Sequence, residues 1–175
     1  MKVGRVTLSD RASAGVYEDR SGPEIESVIR SHFDGDIEFA TRLIPDERAQ
    51  IEQTLRDLCD AGCALIVTTG GTGPSARDVT PEATRAVLEK EPPGFGEIMR
   101  NRTYAITPKA ILSRATAGVR GQSLIINLPG NPKAVGECLP LLLPAIVECI
   151  DHIAGFRPKV REGLESEAVR NSRCK

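Results

Sequence analysis

The chain has 175 residues, 40% of them hydrophobic and 27% charged, with a formal net charge of −1, 3% aromatics and no tryptophan. That length suits one domain with a sheet covered on both faces and leaves no room for a second catalytic domain. The near-neutral balance and scarce aromatics exclude both the electrostatic footprint and the stacking platform of a nucleic-acid-binding protein. Five cysteines (Cys59, Cys63, Cys138, Cys149, Cys174) have neither even pairing nor Cys-x-x-Cys spacing, which fits reduced thiols in a cytoplasmic protein.

Residues 3–8 form the first predicted strand, following the start of the chain with no apolar signal core between. A polar segment, 9–20, separates it from a helix opening at Ser21-Gly22-Pro23-Glu24, in which Ile25, Val28, Ile29 and Phe33 make one apolar stripe. A second strand covers 37–44. Pro45-Asp46-Glu47 then begins a helix with Ile51, Leu55, Leu58 and Cys59 on one face, ended by Gly62. Residues 64–68, opening on the apolar run Ala64-Leu65-Ile66-Val67, are a third strand delivering a glycine-rich loop, and Thr80-Pro81 opens a helix directed toward Lys90. Pro92-Pro93-Gly94 breaks the chain before a short helix near Ile98 and Met99.

Residues 108–113 read as a helical turn and the region of Val119 as a short strand or hairpin arm. Residues 122–128, with Leu124-Ile125-Ile126 consecutive, have the character of a strand buried on both faces. After the loop 129–133 come C-terminal helices punctuated by Pro140 and Pro144 and ending near Gly155. The run 139–147 is too short and too interrupted by proline to span a membrane. Residues 1–158 are expected to form the single domain and 159–175 a flexible tail, since the charged C-terminal end has no periodic apolar face.

Alternating strands and helices call for an α/β fold with a mostly parallel sheet and right-handed crossovers. Ligands of such sheets sit beyond the carboxyl ends of the strands, where the segments 9–20, 45–46, 70–80 and 129–133 are expected to meet. The loop Gly70-Gly71-Thr72-Gly73-Pro74 has the glycines that let a backbone approach an anion closely. It is not a Walker loop, because Gly73 is followed by Pro74-Ser75 and not by Lys-Ser or Lys-Thr. A dinucleotide fingerprint fits only permissively, since Pro74 and Pro81 postpone the helix, and a ligand-free turn stays open as an alternative.

Asp46 is either a helix N-cap or a metal carboxylate, and Asp78 either a turn residue or a second one. Two carboxylates at a strand-end rim are what a magnesium-dependent phosphoryl or nucleotidyl transfer needs. Asp10 is a candidate third acid or a partner for Arg11. Ser113, Arg114, Asn131 and Lys133 offer donors for a second anion or heterocycle, although both cations also read as solvated surface charges. His32 and His152 have no metal-ligand spacing.

Six segments in order, within residues 9–15, 42–47, 68–83, 93–97, 110–114 and 127–132, resemble the molybdopterin adenylyltransferases, the MogA-type proteins related to the gephyrin G domain. The phrases Pro45-Asp46-Glu47 and Gly73-Pro74-Ser75-Ala76-Arg77-Asp78-Val79-Thr80-Pro81 carry the resemblance to the adenylylating branch. The resemblance implies a three-layer αβα sandwich, usually trimeric, that transfers AMP from ATP to the terminal phosphate of molybdopterin with release of pyrophosphate. It implies Mg2+ held by Asp46 and Asp78, a nucleotide cradle of Gly70, Gly71, Thr72 and Gly73, and a pterin rim of Ser9, Asp10, Ser113, Arg114, Pro129, Gly130 and Asn131. Contact with the molybdenum insertase is a further implied partnership. A non-catalytic pterin carrier of the same fold and a nicotinamide-nucleotide-processing relative are the competing expectations.

Overall fold

In a computed structural model, residues 1–164 are described. The elements run β1 (Lys2–Leu8), α1 (Asp10–Ser13), α2 (Ser21–His32), β2 (Glu38–Ile44), α3 (Arg48–Asp60), β3 (Leu65–Thr69), α4 (Thr80–Arg85), α5 (Gly94–Tyr104), a 3-10 turn (Pro108–Leu112), β4 (Ala117–Arg120), β5 (Ser123–Leu128) and α6 (Pro132–Ala154). The sheet order is β2-β1-β3-β5-β4. The first four strands in that order pair in parallel, and β4 joins β5 as an antiparallel hairpin arm.

Side-chain alternation along the central strands divides the core into two layers. Val3, Leu65, Val67, Leu124, Ile126 and Leu128 pack with α2, α5 and α6 on one face, while Val6, Leu8, Ile66 and Ile125 pack with α3 and Val87 on the other. Every residue of β3 and β5 is buried, which explains their unbroken apolar reading. The edge strand β2 is more exposed and carries Glu38 and Arg42, charges that discourage edge-to-edge pairing.

The structure corrects three expectations. The C-terminal helices are one helix of 23 residues that continues through Pro140 and Pro144. Both prolines lie on its exposed face, while Val135, Cys138, Leu139, Leu142, Leu143, Ile146, Val147 and Ile150 are buried. An interior proline costs about 3 kcal/mol, and burying a large aliphatic side chain returns about 1.5–3 kcal/mol, so packing outweighs the breaks. Helix α4 stops at Arg85 instead of running toward Lys90, because the Lys90 and Val119 backbones bond to each other beyond it.

The third correction concerns residues 159–164, expected as tail. The Arg161 amide donates to His32 O at 2.8 Å, its Nε donates to Arg30 O at 3.0 Å, and Val160 bridges to Phe33. Carbonyls in the last turn of α2 have no partners within the helix, and this segment supplies them. The rest of the segment expected as tail, 165–175, with Cys174, lies outside the described residues. No helix among the described residues is long and apolar enough to cross a membrane.

Candidate active site at the carboxyl ends of the strands

All four segments expected to meet do so, around an open cavity of about 520 Å³ lined by Ser9, Asp46, Gly70, Gly71, Asp78 and Gly130 among others. The sheet causes this convergence. Strands β1, β3 and β5 lie side by side and parallel, so the loops that follow Leu8, Thr69 and Leu128 leave on the same edge. Three bonds then fasten the loops: Ser9 N to Ile44 O at 3.0 Å, Gly70 N to Leu128 O at 3.2 Å, and Thr69 Oγ1 to Pro129 O at 2.7 Å.

The glycine loop takes a path that L-residues with side chains resist. Gly70 and Gly71 have φ of 104° and 60°. A Cβ on Gly70 would lie 2.1 Å from Leu8 O, and one on Gly71 would lie 2.3 Å from Thr80 Oγ1 and 2.8 Å from Asp46 Oδ1. Thr80 Oγ1 donates to Gly70 O at 2.9 Å and Thr80 N to Gly71 O at 3.1 Å, so the start of α4 holds the loop from behind. Thr72 is buried, and its carbonyl accepts the Arg114 amide.

Asp46 is not the cap of α3. That helix starts at Arg48 after Glu47, which makes no side-chain capping bond. The Asp46 carboxylate faces the strand ends, where Oδ2 accepts the Asp10 amide at 3.0 Å and Asp10 Oδ1 accepts the Asp46 amide at 3.0 Å. This reciprocal pair joins β2 to α1, which Ser9 caps by accepting the Ala12 amide. Asp46 Oδ1 is buried without a hydrogen-bond partner. Burial pushes the carboxyl of Asp46 above its ordinary range, reinforced by the nearby charges of Asp10 and Asp78.

Asp78 closes the loop as a turn residue, its Oδ2 accepting the Ser75 amide at 2.9 Å, and its carboxylate also faces Gly73. Both readings of this residue therefore coexist, since it still lines the cavity. Asp10 does not orient Arg11. Its oxygens take Arg77 Nε at 3.0 Å and Nη2 at 2.8 Å, and that guanidinium also reaches Glu47 at 2.8 Å. The Arg77 bond holds the Asp10 carboxyl below its usual range.

No group of three or more His, Cys, Asp or Glu side chains converges on a metal position among the described residues. Magnesium commonly needs only one or two carboxylates because substrate phosphates and water complete its shell. The partnerless Oδ1 of Asp46, facing the loop at Gly71 near the charge of Asp78, fits such a half-built site.

The residues expected at the pterin rim divide. Ser9 and Gly130 line the large cavity. Ser113 and Pro129 line a second, more apolar cavity of about 180 Å³ whose wall also includes Met99, Lys109 and Cys138. Asn131 caps α6, accepting the Lys133 amide at 2.9 Å. Arg114 is not a solvated surface charge, since its Nε donates to Gly73 O at 2.9 Å and its Nη1 pairs with Glu82.

Sequence reasoning gave no individual role to Tyr17, Glu18, Asp19 or Arg20, which line the large cavity. Asp19 accepts from Thr7 Oγ1 at 2.7 Å, Arg5 Nη1 at 3.0 Å and the Gly22 amide at 2.9 Å, anchoring the entry to α2. An acidic residue just before Ser21-Gly22-Pro23 carried a capping signal that marks Asp19. Nothing local marked Tyr17.

Residues 4–148 match the family described as a probable molybdopterin binding domain. The molybdopterin adenylyltransferase of Helicobacter pylori strain J99 is 51% identical over 161 residues, covering 91% of this chain and 92% of its own. That of Escherichia coli K12 is 53% identical over 140 residues, covering 79% and 72%. The crystal structure of the molybdopterin biosynthesis enzyme MoaB from Thermus thermophilus superposes with a TM-score of 0.82 at 42% identity, covering 90% of this chain and 99% of that one. The family match over residues 4–148, together with about half the residues identical over most of both chains, shows that this protein belongs to the molybdopterin adenylyltransferase family.

Proposed function

We propose that the large cavity binds ATP with Mg2+ and that the chain transfers AMP to the terminal phosphate of molybdopterin. A molybdopterin phosphate oxygen forms a bond to the α-phosphorus while the bond from that phosphorus to the bridging β-oxygen breaks, and pyrophosphate leaves with the electron pair. The observation that carries the reading is Asp46 Oδ1, a carboxylate oxygen buried without a partner beside Gly71. Leaving such an atom unpaired costs free energy unless a ligand satisfies it.

Asp46 and Asp78 would hold Mg2+, which supplies charge neutralisation for phosphate oxygens as the bonds change. The chain's own contribution is placement. Gly70 and Gly71 bring main chain close to the phosphates, the α1 and β2 connections fix Asp46, and the turn at Ser75 fixes Asp78. The smaller cavity at Ser113 is the proposed pterin side, from which the acceptor phosphate reaches toward Gly130 on the shared loop.

The test is incubation with ATP, Mg2+ and molybdopterin, reading pyrophosphate and the adenylylated product. Asp46→Asn and Asp78→Asn should each lower turnover by about 100-fold or more while pterin binding persists. Molybdopterin binding with no pyrophosphate release by the parent protein would instead make this chain a carrier. Trimer formation is also proposed, with the exposed Tyr104, Ile106, Ile111 and Leu112 around the end of α5 as apolar surface available for self-association. Light scattering that finds only monomer would remove that part. Product delivery to a molybdenum insertase is proposed as the following step.

A further inference from the structure

Arg114 stands between the two cavities. Its neighbour Ser113 lines the smaller one, and its guanidinium turns the other way into the glycine loop. Nε donates to Gly73 O at 2.9 Å, Nη2 to Asp78 O at 2.5 Å, Nη1 pairs with Glu82, and the main-chain amide donates to Thr72 O at 2.9 Å. Gly73 and Asp78 are the two ends of the turn that carries the Asp78 carboxylate, and inside it the Ser75 amide bonds to that carboxylate. One guanidinium therefore staples both ends of the turn and the first part of α4 together. Its side chain is 36% exposed, and each of its three nitrogens already has a partner within the protein.

We propose that Arg114 is a positioning residue that sets the Asp78 carboxylate and couples the smaller cavity to the nucleotide loop, rather than a ligand for the pterin phosphate. The proposal rests on the assignment of nucleotide and pterin to the two cavities. A ligand settling against Ser113 bears on the backbone of the next residue, whose amide and guanidinium hold Thr72, Gly73 and Asp78. Physical coupling through such a contiguous chain is reciprocal, so each ligand changes the affinity of the other by the same factor.

The guanidinium geometry provides the test, because a lysine keeps the charge but cannot donate in three fixed directions. Arg114→Lys should lower kcat roughly 10- to 100-fold, leave the KM for molybdopterin within about threefold, and weaken binding of a non-hydrolysable Mg·ATP analogue measured without pterin. Calorimetry of the analogue with and without molybdopterin should show mutual dependence in the parent and none in the variant. Glu82→Gln, which takes the charge from one partner but keeps an acceptor oxygen, should produce a smaller kcat loss and serves where Arg114→Lys does not fold.

Any of these results would overturn the proposal: full kcat in Arg114→Lys, a loss confined to the molybdopterin KM, or parental kcat in Glu82→Gln. Analogue binding does not require adenylylation. If the parent fails to adenylylate molybdopterin, the proposed reaction falls, while unchanged analogue affinity in Arg114→Lys separately rejects the positioning role.

Discussion

Replacing Gly71 by alanine tests the conformational basis of the glycine loop with a single methyl group. Left-handed backbone costs a residue with a Cβ about 1–2 kcal/mol, and Gly71 has φ of 60°. The new Cβ would also sit 2.3 Å from Thr80 Oγ1, a distance that cannot persist. Thr80 is fully buried and its hydroxyl donates to Gly70 O, so moving it sacrifices that bond, worth about 1 kcal/mol. The sum is about 2–3 kcal/mol, which for a chain of this size lowers the melting temperature by roughly 4–12 °C. Because the same Cβ lies 2.8 Å from Asp46 Oδ1, the variant should lose turnover even at temperatures where it remains folded. Gly94→Ala is the control: an added Cβ there meets nothing within 4 Å. Thermal melting by circular dichroism, with pyrophosphate release on the same samples, compares the two. A Gly71→Ala protein that melts with Gly94→Ala and retains parental turnover would refute the reasoning.

Asp46→Asn should stabilise the fold at neutral pH even as it disables transfer. Its carboxyl is raised by burial, so the folded state resists ionisation more than the unfolded state does. Its cost is absent below the unfolded value near 3.8 and develops as pH rises through the raised folded value, so the variant's stability gain should shrink as pH falls toward about 4; urea denaturation at several pH values gives the sign. Asp19→Ala strips partners from Arg5, Thr7 and the Gly22 amide, and should cost about 2 kcal/mol by the same measurement. Burial raises the thiols of Cys59, Cys63, Cys138 and Cys149, that of Cys138 to about 11. Iodoacetamide at pH 8 should therefore modify these four slowly until urea unfolds the chain, as mass spectrometry would record. Replacing Cys59, Cys63 and Cys149 together should leave specific activity intact, whereas Cys138 lines the smaller cavity and needs a separate variant.

Where physics is periodic, the sequence was sufficient. Ala64-Leu65-Ile66-Val67 and Leu124-Ile125-Ile126 announce strands buried on both faces, and the parallel order then sends their loops to one edge. Local rules failed wherever a distant partner outbid them. Asp46 has the position of a helix cap, yet the Asp10 amide takes its carboxylate, and residues 36 apart in sequence leave no short-range signature of that exchange. Pro140 and Pro144 look like helix breaks because proline removes a donor, and only the burial of α6 against the sheet shows why the helix continues.

Arg114 shows the same limit at the site itself. A charged residue after a 3-10 turn gives no sign in sequence whether it faces solvent, a substrate phosphate or the protein's own carbonyls. The choice depends on where the turn between Gly73 and Asp78 ends, and that turn closes through the Asp78 side chain bonding to the Ser75 amide. Once it is closed, two carbonyls point at one guanidinium with Glu82 beside them. The acidic rim is built on the same plan. Arg77 binds Asp10 and Glu47 on one side of Asp78, and Arg114 binds the Asp78 carbonyl and Glu82 on the other. Two arginines thus bind the flanking carboxylates; Glu82 Oε2 and Asp46 Oδ1 both keep no hydrogen-bond partner within the protein, but of these two residues Asp46 is the one that lines the large cavity. A cation entering with nucleotide phosphates meets an unpaired oxygen there, rather than carboxylates already held by arginine.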